Sequence, residues 1–338
     1  MTDRERRELR GPVKTMAAAA FEWDNKAGAL PEKPSRREEL LYSPQGNLLA
    51  HIAQYGDGPI QRSTYAYDES GRLRETTWRN PDGTEGRSKL EYDDGGEIIQ
   101  SDVKVTYSSE NGRKVKTEVF AKTPGVQRGF SFPDGRSQTA WTVASAAVAS
   151  TFYDGKGRPA EMVFYDDEHA QVSKLVRTYD ERGRVTGEEQ QIVSPRAFAG
   201  KQGTRGEEMP KHIAKLFSRI FSKDGSPMRL TFKYDDHDRV IGQTRDMGLF
   251  GYERTVSFYN GHGDLSKQQT YSTHQGEIPV DDTGSIFAPP PAPEKLRSET
   301  DFSYEYDDRG NWTRKKTSSL HDPGSRWESV ERRVITYY

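Results

Sequence analysis

A short turn motif recurs along this chain and limits the length of every strand that can lie between its copies. It reads Tyr, then Asp, Asn or Ser, two variable residues, Gly, a polar residue that is mostly Arg or Asn, and an aliphatic residue. Degenerate copies begin at Tyr92, Tyr107 and Tyr234. The motif residues that we single out as structural are Tyr42, Gly46, Tyr67, Asp68, Gly71, Tyr153, Asp154, Gly157, Tyr179, Asp180, Gly183, Tyr234, Asp235, Tyr259, Gly263, Tyr306, Asp307, Gly310 and Trp312.

The spacing of the motif predicts antiparallel strands. Tyr42, Tyr67 and Tyr92 follow one another at intervals of 25 residues, and weaker turns at Gly58 and Gly83 fall about halfway between them. The basic period is therefore about 12.5 residues, which fits a strand of about 8 residues and a turn of about 4. A parallel crossover needs about a dozen connecting residues or more and does not fit. We expect an all-β antiparallel meander.

The residue types of the motif support this interpretation. Asp, Asn or Ser at the second position accepts hydrogen bonds from backbone N–H groups two residues further on. Gly at the fifth position adopts the positive φ that ends a type I turn with a bulge. In the copy at Tyr234, Asp238 replaces this Gly, and Asp enters the left-handed region more readily than most residues do.

The strands that enter these turns alternate with a period of two. Leu230, Phe232 and Tyr234 share one face, while charged and hydroxyl residues occupy most intervening positions. This pattern is typical of strands with one buried and one solvated face. Tyrosines near the same end of successive strands predict an aromatic ladder. We interpret them mainly as packing residues, with a sugar-stacking surface as the alternative.

Length arithmetic predicts the shape of the sheet. About 250 repeat residues at this period give roughly 20 strands. Twisted open sheets beyond about 10 strands curl, split or flatten. We therefore expect a rolled or spiralled sheet with its apolar face inside.

Three segments interrupt the repeat. Residues 1–38 are expected to form an N-terminal extension with a first strand near Val13–Trp23, ahead of a repeat domain over 39–338. Residues 194–215 are an insertion, for which we prefer a short helix at roughly 206–216 running into a strand; the choice between helix and strand over 213–221 stays open. Residues 277–300 are expected to form a Pro-rich loop.

Composition excludes several classes of chemistry. The chain has 338 residues and no Cys, which excludes disulfides, thiolate nucleophiles and Cys-type zinc sites. A net charge of −2 gives no global reason to expect nucleic-acid binding, and no stretch approaches the roughly 20 apolar residues of a membrane span. The seven His are scattered, and the acidic clusters lie where turns already need them. We predict no cofactor and no metal.

The motif resembles the YD-repeat (rearrangement-hotspot, RHS-repeat) family, and most closely its short stand-alone bacterial type. Such proteins often open with Gly-x-Val-Lys, here Gly11–Lys14, and close with the pattern seen at Tyr306–Trp312 before a terminal strand, here Arg333–Tyr338. The resemblance implies a sheet that spirals and a location outside the cytoplasm or at the cell envelope. The polar N-terminus lacks the apolar region of a secretory signal and favours the cytoplasm instead.

These observations favour a non-catalytic scaffold that binds an unidentified protein or glycan partner at the bacterial cell envelope. A carbohydrate-binding module is the first alternative and predicts exposed tryptophans. A shell enclosing a toxin or peptide is the second, and a hydrolase with facing carboxylates is the third. The tryptophans on which the first alternative depends are Trp23, Trp78, Trp141, Trp312 and Trp327.

Overall fold

The structure is a computed structural model that describes most of the repeat region. The described residues are 2–3, 7, 9–22, 29–80, 82–92, 98–99, 103–120, 126–131, 137–143, 147–193, 228–246, 251–273, 293–321 and 325–338. The helix expected at 206–216, the choice over 213–221 and the insertion at 194–215 lie outside these residues.

All elements of the described residues are β-strands, as the repeat predicts. Nineteen of them belong to one hydrogen-bonded sheet, in which every described pairing is antiparallel, and two further pairs form small ribbons. The strands are β1 Val13–Glu22, β2 Arg36–Tyr42, β3 Leu48–Tyr55, β4 Gln61–Tyr67, β5 Leu73–Arg79, β6 Glu85–Lys89, β7 Glu91–Tyr92, β8 Ile98–Ile99, β9 Val103–Glu110, β10 Arg113–Phe120, β11 Val126–Ser131, β12 Ser137–Val143, β13 Val148–Tyr153, β14 Pro159–Tyr165, β15 Gln171–Tyr179, β16 Val185–Ile192, β17 Met228–Tyr234, β18 Val240–Asp246, β19 Tyr252–Tyr259, β20 Leu265–Ser272, β21 Lys295–Tyr306, β22 Trp312–His321 and β23 Ser325–Tyr337.

The chain divides into two compact units. The terminal unit comprises Met1–Ile99, Ser257–Gln269 and Arg297–Tyr338. Its strands pair in the order β6-β5-β4-β3-β2-β1-β23-β22-β21. The first strand thus lies between β2 and the last strand of the chain, where Ala18 faces Glu38 on one side and Arg333 on the other.

The core of the terminal unit surrounds this first strand. The apolar and small side chains of β1 make it a suitable central strand, because both of its edges are paired and one face is buried. The buried cluster comprises Leu9, Val13, Met16, Ala18, Leu40 and Tyr42.

The central unit comprises Gln100–Val256 and Thr270–Leu296. Its strands pair in the order β9-β10-β13-β14-β15-β16-β17-β18-β19. The alternation read from β17 is confirmed, because Leu230 and Phe232 are buried. They join a core cluster with Ala149, Met162, Phe164, Val172, Leu175 and Val240.

The antiparallel meander is confirmed, and two expected boundaries are wrong. Residues 277–292 of the expected Pro-rich loop lie outside the described residues, and its expected end at residue 300 is wrong, because β21 begins at Lys295 and continues the alternating pattern of its hairpin with β22. The N-terminal residues expected to be an extension supply β1, and β2 begins at Arg36, ahead of the repeat boundary expected at residue 39. The rolled or spiralled shape stays a prediction.

Candidate functional site

The repeated turn is the first candidate, because it holds most of the acidic side chains singled out by sequence. At Tyr67, the backbone N–H of Asp68 donates to the carbonyl of Arg72, and the N–H of Gly71 donates to the carbonyl of Asp68, both at 2.9 Å. The Asp68 carboxylate accepts bonds from the backbone N–H groups of Ser70 and Arg72. The same side-chain cap is made by Asp154, Asp166, Asp235, Asn260 and Asp307.

The fifth position of the motif adopts positive φ, as the turn chemistry predicts. Gly71 has φ 76° and Gly183 has φ 83°, while Asp238 reaches φ 64° without being glycine. The strand register shifts beside six of these turns, for example between Thr178 and Tyr179. This is the bulge that the motif predicts. Similar shifts occur beside Tyr42, Tyr67, Tyr153, Tyr234 and Tyr306.

Adjacent turns are joined by side chains. The Arg158 guanidinium binds the Asp154 carboxylate, with Nε 2.8 Å from Oδ2, and its other side lies 4.3 Å from the centroid of the Tyr179 ring. The Tyr179 hydroxyl then donates to the backbone carbonyl of Pro159 at 2.6 Å. Within one turn, the aspartate carboxylate therefore caps backbone N–H groups of the same turn. The arginine of that turn packs against the tyrosine ring of the next full repeat.

This arrangement recurs through both units. In four copies the motif tyrosine donates to the backbone carbonyl of the residue that follows the arginine position of an earlier copy, and in the last repeat Tyr304, two residues before the motif tyrosine, makes this bond. The bonds run from Tyr67 to Leu48, Tyr92 to Leu73, Tyr179 to Pro159, Tyr234 to Val185 and Tyr304 to Leu265. Sequence reasoning predicted packing for these tyrosines and missed their bond to the backbone. The intervals between tyrosine and acceptor range from 19 to 49 residues, so no constant spacing in the sequence marks these bonds.

Asp238 has a role beyond tolerating positive φ. Its carboxylate lies 2.8 Å from Nη1 of Arg184 and 2.9 Å from Nη1 of Arg182, two residues of the preceding full repeat. The departure from glycine therefore adds a contact between neighbouring turns. Glycine would remove the backbone cost of this conformation but could not make either contact.

The turn carboxylates are held in their ionised form. Hydrogen bonds from the backbone and side chain of Arg158 lower the pKa of Asp154 to about 2, and a bond from the backbone of Arg72 lowers that of Asp68. A general acid needs a raised pKa near the working pH. These carboxylates are therefore suited to capping turns rather than to proton transfer.

The last motif differs from the others by clasping the N-terminal segment. Asn311, 1% exposed, stands where most copies have arginine. Its amide group donates to the Arg10 carbonyl at 2.9 Å and to the Tyr337 hydroxyl at 2.8 Å, and its oxygen accepts from the Arg10 N–H. The Tyr337 hydroxyl in turn donates to Asp307. One buried amide therefore joins the start, the last turn and the last strand of the chain.

A buried carboxylate lies on the inner face of β2. Glu38, whose side chain is 6% exposed, has Arg7, Arg36 and His51 within 3.3 Å. The close contact with His51, and then the charges of the two arginines, lower the pKa of Glu38 to about 2 despite its burial. On the same face, burial raises the pKa of Tyr42 to about 12. The arginines neutralise Glu38, so the cluster is suited to fixing the register of β2.

A shallow groove crosses β4, β5 and β6 in the terminal unit. It has a volume of about 400 Å³. Its lining carries several cations, and two threonine hydroxyls within it lie 2.6 Å apart. The lining residues are Arg62, Thr64, Thr77, Trp78, Arg79, Glu85, Gly86 and Arg87. Sequence reasoning missed this groove, because no motif marks it.

The tryptophans divide between core and surface. Trp312 is 4% exposed, whereas Trp78 is 37% and Trp327 is 38% exposed. Trp23 and the Trp141 side chain lie outside the described residues. The carbohydrate-binding alternative therefore keeps two exposed tryptophans as support.

The described part of the chain lacks both a metal-binding cluster and a membrane-spanning helix. There, no group of three or more His, Asp or Glu side chains is placed to hold a metal ion. No helix in the same residues has the length and apolar character needed to cross a membrane.

No protein-family model and no curated protein matches this chain. Among solved structures, a porin-like protein from Bacteroides uniformis ATCC 8492 is 9% identical with a TM-score of 0.28, and the match covers 97% of this chain and 98% of that protein. The TcdB2-TccC3-Cdc42 complex is 12% identical with a TM-score of 0.20 over 92% of this chain, which spans 20% of that chain. A LolA superfamily protein from Nitrosomonas europaea is 15% identical with a TM-score of 0.18, and the match covers 65% of this chain and 95% of that protein. Each TM-score is below 0.5, so we draw no conclusion about function from these similarities.

Proposed function

We propose that this chain is a non-catalytic β-sheet scaffold of the YD-repeat class that binds a partner at the bacterial cell envelope. The observation that supports this proposal is the interlocking of successive turns. Asp154, Arg158 and Tyr179 each bind another part of the sheet, and equivalent residues do so in other copies. The recurring polar residues thus stabilise the sheet, which leaves strand faces and edges as the surfaces for binding.

A carbohydrate-binding role is the second candidate. Trp78 and Trp327 expose part of their rings, and exposed aromatic rings provide flat apolar surfaces with a polar edge. This candidate predicts that Trp78→Ala or Trp327→Ala weakens binding of a neutral glycan. A partner recognised by charge at another surface would be insensitive to Trp327→Ala.

The proposed function is tested by sedimentation with isolated bacterial envelopes. We expect the purified full chain to sediment in a saturable manner and an unrelated soluble protein of similar charge to remain in solution. Absence of saturable sedimentation would contradict the proposal.

A matched variant tests whether the turn only stabilises the fold or also contacts the partner. Asp154→Asn weakens a turn but keeps the side-chain shape, so it should sediment like the wild type at temperatures where both are folded. Loss of sedimentation in this folded variant would show that the turn itself contacts the partner.

A further inference from the structure

Strand β6 forms an edge of the terminal unit. It pairs with β5, and no other strand among the described residues pairs with it. An edge strand presents unpaired N–H and C=O groups that can bind another extended chain. Four of its five residues are exposed, the exception being Gly86. The edge is therefore accessible along its length in the described part of the unit.

One side chain of the neighbouring strand packs against the backbone of β6. Trp78 of β5 lies opposite Gly86, and a Cβ on Gly86 would fall 2.2 Å from the indole ring. The ring therefore covers the glycine backbone, an arrangement known to stabilise glycine in edge strands. Glycine is required here by the close approach of the ring. This contact fixes β6 against β5 and keeps its outer edge in place.

Positive charge lies beside this edge. Arg62, Arg79 and Arg87 line the groove together with a single acid, Glu85. Alternation places these four residues on one face of β4–β6, since Arg62 pairs with Arg79, and Arg79 with Glu85. The groove therefore carries a net positive charge next to the unpaired edge of β6.

Part of this charge is available for a ligand. Arg87 forms an ion pair with Glu75. The Arg79–Glu85 contact is 3.8 Å long between side chains that are 68% and 71% exposed, and contacts of this kind contribute little. Arg62 makes no hydrogen bond or ion pair with any other described residue. Two of the three guanidinium groups can thus bind a carboxylate without breaking a strong contact.

We propose that the β6 edge accepts an extended acidic segment of a partner protein as an additional strand, with the positive charge of Arg62, Arg79 and Arg87 attracting its carboxylates. This inference rests on the proposed function and names the kind of partner. In strand addition, backbone hydrogen bonds supply affinity and alternate side chains supply specificity. A segment with an acid at every second position places its carboxylates on the arginine face, where guanidinium groups bind them as two-pronged pairs.

Charge argues against a second copy of this chain as the occupant. Pairing two β6 edges would bring the arginines of one copy close to those of the other, and facing like charges are destabilising. The arginines thus favour an acidic strand over a second copy. Natural edge strands use charge in this way to avoid aggregation.

The test uses a synthetic peptide of alternating glutamate and valine, about as long as β6, and the full chain. We expect saturable binding by calorimetry that weakens as salt rises, because salt screens exposed charges. A peptide of alternating lysine and valine should not bind. The same acidic peptide with N-methyl groups on alternate amides keeps its charge but loses backbone donors, and we expect it to bind roughly tenfold more weakly.

Protein variants locate the site. We expect the substitutions R62Q/R79Q/R87Q to weaken binding of the acidic peptide roughly tenfold or more. The control variant R74Q/K156Q/R326Q removes the same charge from exposed positions outside the groove and should bind like the wild type. Trp78→Ala should weaken binding by loosening β6, and unfolding curves would show that the variants remain folded.

Four outcomes would overturn the inference. Equal binding of the N-methylated peptide would exclude strand addition. Dextran sulfate binding as tightly as the peptide, and equally sensitive to R62Q/R79Q/R87Q, would assign the groove to polyanions in general. Equal loss in both triple variants would show a non-specific charge effect. Unchanged envelope sedimentation by R62Q/R79Q/R87Q would contradict only this inference, because the proposed function would survive on another surface.

Discussion

The hydroxyl of Tyr179 donates a hydrogen bond to the backbone carbonyl of Pro159 across 20 positions of sequence. Pro159 lies at the register shift beside the preceding turn, where the strand ladder is interrupted. The tyrosine hydroxyl is thus the hydrogen-bond partner of a backbone carbonyl at the point where the strand ladder is disrupted. This explains why the motif uses tyrosine, since phenylalanine would pack equally well but could not donate.

The hydroxyl contribution is measurable with Tyr179→Phe. We expect this substitution to lower the free energy of unfolding by about 1 kcal/mol, the usual net value of one hydrogen bond. Tyr55→Phe is the control, because Tyr55 is 59% exposed and makes no side-chain hydrogen bond within the described residues. Urea unfolding of both variants checks the prediction. Equal losses would show that the Tyr179 hydroxyl adds nothing beyond its ring.

The turn cap predicts an acid-dependent loss of stability. The pKa of Asp154 is lowered to about 2 by bonds from Arg158, against about 3.9 in an unfolded chain. A lowered pKa contributes stability that is present above the unfolded value and disappears as pH falls towards the folded value. The difference in unfolding temperature between wild type and Asp154→Asn should therefore be constant above about pH 5 and shrink towards pH 2. A constant difference down to pH 2 would contradict the cap.

The buried carboxylate of Glu38 also predicts a loss of folding stability at acid pH. We expect Glu38→Gln to cost about 3 kcal/mol at neutral pH, because it leaves arginine charges beside a buried neutral group. Since the pKa of Glu38 lies near 2, this cost should decrease as pH falls from about 4.5 towards 2. Glu39→Gln is the matched control on the exposed face of the same strand. Denaturant titrations at several pH values measure the loss in free energy of unfolding for both variants. Equal losses would contradict a stabilising role for the ion pairs of Glu38.

The clasp at the chain ends predicts a large effect from a small change. Asn311→Ala leaves the backbone groups of Arg10 and the Tyr337 hydroxyl without their partner, so we expect a loss of about 2–3 kcal/mol. Asn47 holds the same motif position in the first copy, and its side chain makes no hydrogen bond to any described residue. Asn47→Ala should therefore cost less than half as much. If both substitutions lower the free energy of unfolding equally, the hydrogen bonds of the Asn311 side chain add no stability of their own.

Local chemistry made the turns predictable. Gly71 and Gly183 adopt positive φ, the aspartates cap, and the strands run antiparallel, because each feature depends on a few adjacent residues. The alternation of Leu230 and Phe232 likewise predicted which face of β17 is buried. Consistency between pattern and turn chemistry is what makes such features readable from one sequence.

Long-range pairings could not be predicted in the same way. The placement of β1 between β2 and β23 depends on contacts across almost the whole chain, and the motif copies are too alike to specify which strands meet. The Asn311 clasp follows from that pairing and was therefore missed. The β6 groove was missed because its arginines belong to three different strands and share no motif.

The interlocking of successive turns is tested most directly by a double-mutant cycle on Arg158 and Tyr179. The cycle compares Arg158→Gln, Tyr179→Leu and the double variant by urea unfolding and isolates the energy that couples the two side chains. The guanidinium lies 4.3 Å from the ring centroid, and we predict a coupling of about 1 kcal/mol. The pair Arg158 and Tyr234 is the control and should show none beyond error. A coupling of zero between Arg158 and Tyr179 would contradict the account that neighbouring repeats hold one another.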